Sequence, residues 1–120
     1  MSVNAESIID WLGEEVVDPE GHRVGRLADV YVDTSSDEPV FAVVKLGLLT
    51  SQRHAFVPLR GATVAPRHVR VAYSAALVRK APALEPGGVL PVEAEVDVYN
   101  HYGLEYTPAE TPGGRRLARR

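Results

Sequence analysis

Residues 40–46 read VFAVVKL, a run of β-branched and aromatic side chains that is too short for an ordinary helix and too apolar for a loop. Turn chemistry stands on both sides, TSSDEP before it and GLLTSQ after it, and a second run, RHAFVPL, follows at 53–59. The alternation continues outward, with 15–17, 24–33, 63–64 and 69–72 also reading as strands. Five or six short, closely spaced, mostly antiparallel strands cannot leave their apolar faces wet. In one small domain the usual solution is a barrel or a strongly curled sheet. At 120 residues the chain is long enough for a single such core, and the expected class is mainly β.

Single residues sharpen this reading. Asp18-Pro19-Glu20-Gly21 is a turn, with proline fixing φ and glycine accepting positive φ. Gly25 lies inside the strand at 24–33, where a missing Cβ permits a bulge or a close backbone approach. Pro58 cannot donate to a ladder, so its strand should end there or lie at an edge. Asp18, Asp29 and Asp33 fall at strand ends or turns, where short carboxylates accept backbone N–H bonds. Residues 5–12 read as a short helix stopped by Gly13, 74–80 as one helical turn, and 81–91 as a proline-rich linker.

The segment 92–106, VEAEVDVYNHYGLEY, carries two patterns. Alternation over seven residues suits a strand. A broader stripe of Val92, Val96, Tyr99 and Tyr106, with Val98 and Tyr102 beside it and Glu95 breaking it, suits a helix ended by Gly103. The longer pattern favours the helix. Beyond it, 107–120 holds turn formers and arginine with almost nothing to bury, which predicts a disordered tail.

Charge and chemistry exclude more than they assign. Residues 1–107 hold nine basic and fifteen acidic side chains, a net of −6, whereas the tail sets Arg115, Arg116, Arg119 and Arg120 against Glu110. An acidic body with a short basic end is not the footprint of a dedicated nucleic-acid binder. The tail reads first as solubilising; weak contact with nucleic acid or an anionic membrane is the disfavoured alternative. The absence of cysteine excludes disulfides and thiolate chemistry. His22, His54, His68 and His101 have no helical or hairpin spacing to one another, so no metal is expected. Asp33–Asp37 opens like a calcium loop, but Glu38 stands where glycine is needed and Val44 where the bidentate glutamate belongs. There is no Gly-x-Ser-x-Gly elbow, and Ser51 near His54 is proximity in sequence alone. Gly87-Gly88 lies in the linker and opens no helix after a strand. No catalytic residue and no cofactor is implied.

The order of these features resembles the PRC-barrel family. The resemblance is carried by Leu12-Gly13 with Val17-Asp18, Gly21 and Gly25, the segment 29–33 (DVYVD), and Val43-Val44. It continues through Phe56-Val57-Pro58-Leu59, Val69-Arg70-Val71 and the ending Asn100-His101-Tyr102-Gly103-Leu104. The family includes the cytoplasmic domain of the photosynthetic reaction-centre H subunit and the C-terminal domain of a ribosome maturation factor. It implies a small antiparallel barrel over residues 5–106 and no shared catalytic set. The expectation is a non-catalytic protein–protein interaction module, homodimeric and cytoplasmic. A ribosome- or RNA-associated accessory role and a membrane-peripheral role are the rival readings. Trp11 is expected as a core plug or a contact anchor, and Tyr99, Tyr102 and Tyr106 as the dimer or partner face.

Overall fold

The computed structural model describes residues 8–33, 38–46, 53–82, 90–104 and 117–119. A 3₁₀ turn, Ile9–Trp11, leads into β1 (Glu15–Val17), β2 (Arg23–Asp33), β3 (Pro39–Leu46) and β4 (Arg53–Pro58). The hairpin of β5 (Thr63–Ala65) and β6 (His68–Arg70) follows, then helix α1 (Ala75–Arg79) and helix α2 (Val92–His101). The strand order is β4-β3-β2-β1-β6-β5, antiparallel except for the parallel pair β1–β6.

Three bulges bend this sheet. Val16 faces Gly25 while Val17 faces Arg23, which makes Val24 an extra residue on β2. Ala28 is extra against Val44 and Val43, and Val40 is extra between the pairs Tyr31–Phe41 and Val32–Pro39. Each bulge adds right-handed twist and curls the sheet around its apolar face. Gly25 sits at the tightest point. A Cβ there would collide with the Lys45 carbonyl oxygen and stand 2.8 Å from Val44 Cγ1. Backbone approaches backbone at that point, as the sequence suggests.

The core is built from Val16, Leu27, Val30, Tyr31, Phe41, Val43, Val44, Phe56, Val57 and Val69, all fully buried. The mainly β class read from sequence holds. The sheet stays open among the described residues, since β4 and β5 end the path and do not pair with each other. Pro58 ends an edge strand, as predicted, and the helical turn expected at 74–80 is α1, capped by Ser74, whose Oγ accepts the Leu77 amide. Gly103, at φ +70°, follows the last turn of α2. In the described part of the 5–12 helix, Ile8 is α-helical and Ile9–Trp11 form the 3₁₀ turn.

One expectation is corrected. The predicted disorder of 107–120 does not extend to Leu117–Arg119, which forms β7 against β2, with Tyr31 facing Arg119 and Asp33 facing Leu117. β3 occupies one edge of β2, and β1 covers the other edge only as far as Arg26. Three residues of backbone extend the cover of that edge to Tyr31–Asp33 through main-chain pairing, for which hydropathy gives no sign.

Candidate functional site

Asp18 accepts three backbone hydrogen bonds. Its Oδ1 accepts the amides of Glu20 (3.0 Å) and His22 (2.9 Å), and its Oδ2 accepts the amide of Ala75 at 3.1 Å. The residue is 2% exposed. Burial pushes the carboxyl up, but the three amides and nearby His22 outweigh it and hold the pKa below the ordinary carboxylate value. The carboxylate thus pins the β1–β2 turn to the start of α1. A depression beside it is lined by Glu20, His22, Arg23, Ser74 and Arg79 as well. The oxygens of Asp18 are spent on structure.

Trp11 is half-buried, and its indole Nε1 donates to the Ala65 carbonyl at 2.6 Å, tying the entry turn to β5. Tyr99 packs edge-on against Phe41 with ring centroids 5.5 Å apart, and Tyr102 is buried against Tyr73 (4.8 Å) and His101 (4.9 Å). His101 Nε2 lies 2.7 Å from the Leu77 carbonyl; a carbonyl only accepts, so this nitrogen carries the proton. Tyr99 and Tyr102 therefore serve the chain's own core. Tyr106, Arg115, Arg116 and Arg120 lie outside the described residues, and Arg119 is placed through its backbone in β7. The helical stripe also turns out rotated. Glu95, read as its interruption, is buried with Val98 and Tyr102, while Val96 is only half-buried. Glu95, Val98 and Tyr102 follow i, i+3, i+7 spacing and form the inward face.

A second feature comes from register. The directly opposed residues His68, Glu15, Arg26, Lys45 and His54 make one row across β6, β1, β2, β3 and β4. Lys45, Val43 and Phe41 alternate onto one face, so the face that lies buried under Tyr99 at Phe41 emerges charged at Lys45. Glu15 is engaged by Arg23 Nε at 3.2 Å, and Arg26 donates to the Gly13 carbonyl at 2.9 Å. Arg26 and Lys45 are both exposed, and neither has an acidic partner among the described residues. Like charges directly opposed on a sheet disfavour the isolated fold, and Glu15, directly opposite Arg26 on its other side, offsets part of this. The sequence could not show this row, because it exists only once five strands are in register.

Among the described residues no group of three or more His, Asp or Glu is placed to hold a metal ion. No described helix is long and apolar enough to cross a membrane. A comparison with curated proteins finds no match. A family model, PRC-barrel domain, matches residues 4–78, more than half of the chain, from ahead of the 3₁₀ turn to Val78 in α1. The matched span contains β1 to β6 with their bulges, and on that ground the chain belongs to the PRC-barrel domain family.

Proposed function

We propose that this chain is a non-catalytic protein–protein interaction module of the PRC-barrel type, its curled sheet acting as a small barrel, and that it works as a homodimer. The observation that carries the reading is the exposed pair Arg26–Lys45. Two exposed cations stand opposite each other, neither in an ion pair among the described residues, on a body (residues 1–107) whose net charge is −6. An acidic protein surface complements them on binding. The polar groups with the most distinctive surroundings, Asp18, His101 and the Trp11 indole, are all engaged in holding elements together, which suits a binding fold better than an enzyme. Contact with RNA or an anionic membrane through the C-terminal arginines is the weaker reading, since the acidic body opposes the approach of either.

Light scattering of the purified chain at micromolar concentration tests the proposal. It predicts about 26 kDa, twice the 13.0 kDa chain mass. A single 13.0 kDa species would remove the homodimer.

A further inference from the structure

We infer that the Arg26–Lys45 row receives helix α2 of a second copy, through the exposed acids Glu93 and Asp97. This deepens the homodimer reading above and rests on it. The exposed face of α2 is Glu93, Asp97 and Asn100 at i, i+4, i+7, diametrically opposite the buried Glu95, Val98 and Tyr102. One helix thus turns Val98, Tyr102 and the Glu95 carboxylate inward and the carboxylates of Glu93 and Asp97 outward.

The geometry is self-complementary. α2 lies over Phe41, against which Tyr99 packs, and Lys45 lies four residues along the same face of β3. Four residues of strand span about 13 Å, and packed helix axes stand about 8–10 Å apart. Lys45 thus lies on the face that Tyr99 covers at Phe41 but beyond that contact, exposed where a second helix can reach it. About a two-fold axis, each α2 covers its own Phe41 with one face and the other protomer's Arg26 and Lys45 with the opposite face, giving an isologous contact. The family match ends at Val78, so α2 is an element of this chain beyond the matched barrel segment.

Charge exchange between copies tests the inference. Lys45→Glu and Asp97→Lys are both exposed-site changes, and circular dichroism checks that each variant keeps the wild-type fold. Each alone should weaken self-association about tenfold or more, and an equimolar mixture of the two should recover dimers, because both contacts of the mixed pair are again complementary. Wild-type dimers with variants that associate equally well would overturn the assigned surface and leave the homodimer standing. Loss in both variants without recovery on mixing would also overturn it. A wild-type chain that stays monomeric would overturn the homodimer and this inference together.

Discussion

The Asp18 carboxylate reaches across 57 positions of sequence to the amide of Ala75, joining the first turn of the sheet to the helix that ends the family-matched segment. Removing it leaves the buried Ala75 amide and the part-buried amides of Glu20 and His22 without their acceptor. Asp18→Ala should lower the thermal midpoint, with the β1–β2 turn and α1 losing amide-exchange protection together. Because the folded carboxyl has its pKa below the unfolded value, its contribution is present above about pH 4 and is lost as pH falls through the folded value. The gap between wild type and Asp18→Ala should therefore be full at pH 7 and close on acidification. A gap that persists unchanged at pH 2 would contradict this assignment.

Two glycines should respond differently to a methyl group. Gly25→Ala forces a Cβ into the Lys45 carbonyl and should cost about 1–3 kcal/mol in urea unfolding as β2 and β3 are pushed apart. Gly103→Ala meets open space but holds φ at +70°, so it should cost about 1 kcal/mol from backbone strain alone. Equal, near-zero effects at both positions would contradict the packing described for Gly25.

The hydroxyl of Tyr102 is buried with no hydrogen-bond partner among the described residues. Tyr102→Phe should keep the ring contacts to Tyr73 and His101 while relieving the unmet hydroxyl. Stability at neutral pH should be unchanged or higher by about 1 kcal/mol. Burial, with Tyr73 nearby, raises the phenol pKa above its ordinary value, so the folded state holds this proton more tightly than the unfolded state. That contribution is complete below about pH 10 and is lost above it. The variant should thus be less sensitive to alkali than wild type in a pH-jump unfolding series.

The strands were legible because β-branched runs and turn residues punctuate them. Gly25 and Pro58 announced a close approach and an edge through their own backbone chemistry, whereas the Ser74 cap was not read from the sequence. Tertiary pairing was not legible. β1 lies parallel to β6 across some fifty residues, a placement that no local pattern encodes. The helix in 92–106 was identified, but its rotation was not. Hydropathy ranked Val96 above Glu95, whereas packing of Val98 and Tyr102 carried Glu95 inward with them. The Arg26–Lys45 row was hidden for the same reason, since its members are nineteen residues apart until β2 and β3 pair.

β7 gives a local test of the sheet edge. The Asp33 amide is turned toward Glu38 on the β3 side, so the adjacent Val32 amide points to β7, where Val32 faces Ala118. Deleting residues 117–120 should speed hydrogen exchange at Val32 selectively and leave Val44 and Val57 protected. Unchanged exchange at Val32 would contradict the pairing.

The most direct test of a module that associates through opposed charges is sedimentation equilibrium of the intact wild-type chain across ionic strength. Salt near 1 M shortens the screening length to about 3 Å, against about 10 Å at 0.1 M. The account predicts a two-chain particle in dilute salt that dissociates toward single chains as salt approaches 1 M. Single chains at every salt concentration, or a pair indifferent to salt, would contradict it.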